Sequence, residues 1–348
     1  MSRRRSRLWG ALAAALPLMA VVPSPAQEPA PPAAPPVPTA APRPTRSVPV
    51  APAVPTAPTR AAAAAPAPGV DILPADLAFG AFQRGFYLTA MKLAEPLANL
   101  GDPAAQVLLG EIHSRGLGVP VDMKQAAHWY QAAARSGSAE GQFRYAMMLL
   151  DGRDVAQDLA QARDLMKLAA DGGLPLAQFN YAQMVVQASP SGGFSEAESY
   201  FRKAAEAGLP DAEYAMSQLL AYGRDGTGVD LPAARGWLEK AAAGGHDTAQ
   251  IEYGIWLING KGGPAELSNG FHWLRRAAER GNPIAINRVA HLYKDGVGTE
   301  PNTAEAAKWY VLAKRFGNSD LVLEDFFRGL DEPAQKAALE AANRFRSG

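Results

Sequence analysis

The sequence contains no cysteine. Thiol nucleophiles, thiolate metal sites, disulfides and a lipid-modified N-terminal cysteine are therefore excluded. It also lacks net charge, with Lys+Arg 34 against Asp+Glu 34. That balance hides two regions. Residues 1–68 hold seven arginines and one acid, Glu28, which leaves 27 basic and 33 acidic residues in 69–348. A mildly acidic body lacks the basic face that phosphate neutralisation needs, so no nucleic-acid partner is expected. Long apolar runs are scarce too. The run Leu8–Val22 falls short of the ~20 residues of a bilayer span, and Pro17 interrupts it.

Signatures of chemistry are equally scarce. Five histidines are present, none in H-E-x-x-H or a similar metal spacing. No serine has a G-x-S-x-G setting. The segment "DGRDVAQD" at 151–158 has three aspartates without calcium-loop spacing. "GRDGTG" at 223–228 follows a helical pattern rather than a strand and reads as a turn. No catalytic residue, cofactor or metal is expected.

What is present begins with an export pattern. "MSRRRSRLWGALAAALPLMAVVPSPAQ" runs from arginines through a short apolar stretch to small residues, Ser24 and Ala26, suited to signal peptidase. Residues 1–26 are read as a signal peptide, which leaves no stable membrane span once it is removed. The alternative is an uncleaved inner-membrane anchor. Residues 27–70 are almost all Pro, Ala, Val and Thr. Such a run builds no core and reads as a disordered linker.

From there the chain repeats itself. One glycine marker recurs at Gly101, Gly137, Gly173, Gly208, Gly245, Gly281 and Gly317, at spacings of 36, 36, 35, 37, 36 and 36. Four residues after each marker but the last comes a small residue, and eight after it a larger apolar one: Leu109, Tyr145, Tyr181, Met216, Tyr253, Val289. Steps of four lie on one helical face, which predicts a helix A in every unit. Twelve after the marker, five of six residues are apolar, and the exception, His113, is expected to be a core histidine. A turn glycine follows at Gly116, Gly152, Gly223, Gly260 and Gly296. Then Asp122, Asp158, Asp230 or Asn302 caps a helix B. Its bulky column, eight before the next marker, is Trp129, Leu165, Tyr200, Trp237, Trp273 and Trp309. These are read as core residues costing ~3–5 kcal/mol each on truncation to alanine. His128 and His272 flank that column and are expected on the outer surface.

One helix pair cannot bury its own apolar face, so the fold expected is all-α, an α-solenoid of about six stacked units of ~36 residues over 71–318. The stretch 75–100 reads as a partial first unit. Residues 319–348 read as a C-terminal cap, with Asp331 and Glu332 ahead of Pro333 as a helix start. Unit three departs from the pattern at 187–195, where Pro190 interrupts any continuous helix.

The segment "AQVLLGEIHSRGLGVPVDMKQAAHWYQAAARSG" (105–137) resembles a Sel-one-like repeat, a branch of the tetratricopeptide class. Ala105, Leu109 and Gly110, then Gly116–Val119, then Asp122, Ala126, Trp129 and Tyr130 carry the resemblance, and 285–317 matches almost as well. The resemblance implies a scaffold or adaptor holding other proteins, exported in some bacterial members, with no catalytic residues to carry over.

In that class the concave surface is lined by helix A positions opposite its core face. Here the central ones are Phe143, Met147, Phe179, Gln183, Tyr214, Gln218, Tyr222, Ile251 and Ile255. An aromatic and aliphatic face with polar edges marks an interaction site, unless tight curvature makes these residues touch the next helix A. The function expected is an exported, periplasmic scaffold or adaptor binding a protein or peptide partner of the envelope in this groove. The alternative, an envelope enzyme or accessory factor acting on cell-wall or polysaccharide material, has no motif behind it.

Overall fold

The computed structural model describes residues 74–188, 194–223 and 228–345. The signal-peptide and linker readings, and most of the junction 187–195 and the 223–228 turn, lie outside them. The described residues form sixteen α-helices and no strand, within one compact unit that begins at Pro74.

A short helix α1 (Pro74–Gln83) and α2 (Tyr87–Asn99) make the partial first unit. Six complete units follow: α3 (Pro103–Arg115) with α4 (Met123–Arg135), α5 (Ala139–Asp151) with α6 (Leu159–Asp171), and α7 (Pro175–Ala188) with α8 (Phe194–Glu206). Then come α9 (Pro210–Tyr222) with α10 (Leu231–Ala243), α11 (Asp247–Asn259) with α12 (Leu267–Glu279), and α13 (Pro283–Asp295) with α14 (Thr303–Arg315). Two cap helices, α15 (Leu321–Arg328) and α16 (Glu332–Arg344), close the series against α14. From α1 to α14 each helix packs on its neighbours in the chain, as a solenoid requires, and α16 packs back on α14.

The markers explain where each unit turns. All seven have φ between 79° and 95°, the left-handed region that favours glycine. Immediately after most of them comes a cap for helix A. Asp102 accepts from the Ala105 N–H at 2.8 Å, Ser138 from Gly141, His246 Nδ1 from Ala249 and Asn282 from Ile284 and Ala285. The expected caps of helix B form as well: Asp122, Asp158, Asp230 and Asn302 accept from N–H groups of the first turn.

The second glycine of the turn joins neighbouring units. At Gly262 (φ 76°) an added Cβ would lie 2.4 Å from the Leu231 carbonyl oxygen, and at Gly298 (φ 72°) 2.1 Å from that of Leu267. Leu231 and Leu267 are the first residues of the preceding helices B. Only glycine lets the turn approach that backbone. Arg235, buried, reinforces the same joint by donating to the Pro264 carbonyl at 2.8 Å and pairing with Glu266.

The core differs from expectation in two columns. The fully buried large residue of helix B is the one after the tryptophan column: Tyr130, Met166, Phe201, Leu238, Leu274 and Tyr310, each at most 4% exposed. Trp129, Leu165, Trp237 and Trp273 are half-buried beside it, and only Tyr200 and Trp309 of that column are buried. Two of the half-buried rings carry cations: Lys240 Nζ lies 4.0 Å from the Trp237 ring centre and Arg276 Cζ 5.9 Å from that of Trp273. His113 is half-buried, because Leu109 and Ile112 take the core position in that unit. His128 and His272 are exposed, as expected.

A polar column lies inside the core. Gln106, Gln142, Gln178, Glu213 and Gln250, five residues after the marker, are all buried. Gln106, Gln178 and Gln250 donate to the carbonyls of Ala98, Ala170 and Ala242 at 3.0–3.2 Å. Those carbonyls belong to the last turn of the preceding helix B, beyond the reach of the helix's own ladder, and each also accepts from the N–H of the marker glycine. Each of these glutamines therefore adds a second bond at a helix end and ties two units together.

Candidate functional site: the face of the A helices

Consecutive A helices approach one another directly in α1/α3 and α3/α5, and side-chain hydrogen bonds join α9 to α11. Side chains six, ten and fourteen after the marker share one side of helix A. At its middle a polar network spans two units. The Tyr214 hydroxyl donates to Glu252 Oε1 at 2.9 Å, and Gln218 Nε2 donates to the other oxygen at 2.8 Å. The Tyr214 ring stacks on His246, centroids 4.4 Å apart and planes 20° apart. Burial, then the charge of Glu252, pushes the Tyr214 hydroxyl pKa upward, so it stays a donor. Burial also lowers the His246 pKa against the pull of Asp211, and the neutral ring keeps Nδ1 free to accept from Ala249.

The nine expected residues separate into four groups. Tyr214 and Gln218 meet at Glu252. Phe143, Met147 and Phe179 join one apolar cluster, with Phe179 edge-on to Phe201 at 5.6 Å. Ile251 and Ile255 join the C-terminal cluster. Gln183 is half-buried, and Tyr222 stands 50% exposed with Lys261 Nζ 5.5 Å from its ring. Phe143 and Ile251 correct the reading of an open apolar groove. They are 7% and 6% exposed and form the wall beneath the face, because close packing of neighbouring helices covers them.

Glu252, His246, Trp256 and Lys261 were not singled out from the sequence. Lys261 Nζ lies 4.1 Å from the Trp256 ring, so this lysine spans two aromatics at the rim. Glu252 was the legible one: within the six complete units it is the only acid seven residues after the marker, among Leu108, Arg144, Asn180, Ala215 and Arg288. At the far end Asn287 and His291 bond Asp320 Oδ2 at 3.1 and 2.8 Å. Burial alone would raise that carboxyl, but these bonds and the Leu323 N–H hold it at about 2. Among the described residues no group of three or more His, Asp or Glu is placed to hold a metal, and no helix is long and apolar enough to cross a membrane.

Six consecutive segments match the Sel1 repeat: 103–138, 139–174, 175–209, 210–246, 248–282 and 283–315. The chain belongs to the Sel1 repeat family. Proteins built of Sel1 repeats are typically non-enzymatic scaffolds for protein–protein interaction. Among solved structures, a Sel1 repeat protein from Oxalobacter formigenes is 25% identical, covers 69% of this chain and 96% of its own, and superposes with a TM-score of 0.59. A protective antigen present in uropathogenic Escherichia coli, displaying the same fold, is 26% identical over 74% of this chain and 63% of its own, with a TM-score of 0.50. Yeast chitin synthase regulator SKT5 is 30% identical over 107 residues, 30% of this chain and 15% of the yeast protein. The chain thus spans well under two thirds of that relative.

Proposed function

We propose that this Sel1 repeat protein is an exported adaptor of the bacterial envelope, without catalytic residues of its own. It holds an extended protein segment on the A-helix face between α7 and α11. The observation that carries this reading is the Tyr214–Glu252–Gln218 network with Tyr222 at its rim. Hydrogen bonds from two units fix the polar groups, so little ordering is left for binding to require. Tyr222 offers a half-exposed aromatic anchor beside them, and Gln183 extends the polar edge one unit further. The N-terminal pattern supports export to the periplasm.

A photo-crosslinking amino acid at position 222 tests the face, with the same group at His272 on the outer helices as control. A partner captured from 222 but not from 272, and lost in Gln183→Ala/Gln218→Ala with helicity unchanged, is the expected result. Equal capture from both positions removes the binding role from the A-helix face. Export has its own readout: the mature protein is expected to begin at Gln27, whereas an intact N-terminus in the membrane fraction selects the anchored alternative.

A further inference from the structure

Where another repeat would follow α14, the cap helices leave a cleft instead. It measures about 480 Å³, within the ~300–1,000 Å³ of small-ligand sites. Its floor is apolar. Tyr310 and Val311 are buried, the Phe327 ring tilts against Tyr310 at 5.1 Å, and Leu339 of α16 forms an exposed wall. Its mouth is basic. Lys314 and Arg328, with side chains 62% and 70% exposed, both reach the Glu324 carboxylate, at 3.7 and 2.7 Å. Arg315, which donates to Asn343 Oδ1 at 2.7 Å, and Gln335, which donates to the Leu330 carbonyl at 2.9 Å, complete the lining. Three cations thus face one acid inside the cleft, on a body that is acidic as a whole. Asp325, 3.8 Å from Arg328, stands outside the lining, 79% exposed.

We propose that this cleft holds the C-terminal end of a partner peptide. The last apolar side chain lies on Tyr310, Phe327 and Leu339, and the terminal carboxylate sits between Lys314 and Arg328. Charge complementarity selects this occupant. An apolar floor alone takes any apolar group, but Lys314, Arg315 and Arg328 outnumber Glu324 and the more distant, exposed Asp325, and an incoming carboxylate completes the pairing. A chain end carries apolar group and charge on one residue, which suits a cleft with room for only a few. The inference is independent of the A-helix face.

The test is NMR titration of the full chain with N-acetyl-Ala-Phe-Leu carrying a free carboxylate, with its C-terminal amide, and with decanoate. The free acid is expected to give saturable shifts at residues 310–339. Binding of the amide is expected to be about tenfold weaker, the factor that ~1.4 kcal/mol of ion pairing supplies. Lys314→Gln/Arg328→Gln, at two exposed positions that leave the core intact, should bring the acid down to the level of the amide. Shifts equal for acid and amide, shifts confined elsewhere, or none at millimolar peptide overturn the proposal. Saturable binding of decanoate in preference to the peptide also overturns it, and reassigns the cleft to fatty acids.

Discussion

Glu213 is the residue at odds with its column. Its counterparts in three other units are glutamines that donate to a carbonyl eight residues back. An ionised carboxylate cannot donate at all. Burial raises the Glu213 pKa, opposed by the charge of Lys240. The folded state therefore favours the protonated acid. That preference contributes stability below the unfolded pKa of ~4.3 and is lost as pH rises through the folded value. Glu213→Gln should donate to Ala205 at every pH. It should raise the melting temperature at pH 7, by about 2–4 °C for each ~1 kcal/mol gained, with the gain shrinking toward pH 4. Thermal unfolding at the two pH values measures this, and a gain independent of pH would contradict it. None of this column was legible beforehand, because a glutamine in a helix reads as solvent-facing until its partner carbonyl is known.

For a single helix, the ends were more legible than the middle. Aspartate or asparagine before helix B declared its cap in the sequence, and Asp331 did the same for α16, accepting from Ala334 at 2.9 Å. Tryptophan declared apolar character without declaring depth. In Trp129–Tyr130 or Trp273–Leu274 both residues fall on one broad face, and the sequence does not say which lies at its centre. The centre goes to the second because alanine and glycine opposite leave room there: a Cβ on Gly110 would meet the Tyr130 ring at 2.5 Å. Phe143 and Ile251 were misplaced for a related reason, since helix-to-helix distance sets their burial and periodicity does not encode it. The caps give a direct measurement. Asn282→Ala removes the acceptor for two N–H groups at the start of α13 and should cost about 1 kcal/mol. Urea denaturation should show a lower midpoint with an unchanged slope.

Across the whole solenoid every joint is a neighbour-to-neighbour joint, so stability grows by addition of units and interfaces. Deleting residues 139–174, one complete unit, should leave a cooperatively folding protein with the same helicity per residue and a lower melting temperature. Deleting α5 alone should not, because α6 would then meet α4 with no helix A between them. Circular dichroism and thermal unfolding separate the two cases.

The glycine joints are written as relative addresses. Gly118 lies against Tyr87, Gly262 against Leu231 and Gly298 against Leu267, each reaching back the same distance along the chain. No residue refers to an absolute position. A chain encoded this way can gain or lose a whole unit at any point and every surviving instruction still resolves. A single inserted residue, by contrast, misdirects each joint that crosses it. The two irregular spacings, 35 and then 37, come one after the other and restore the sum. They behave like a frameshift and its suppressor: the slip is confined to one stretch, and the units on either side stay in phase.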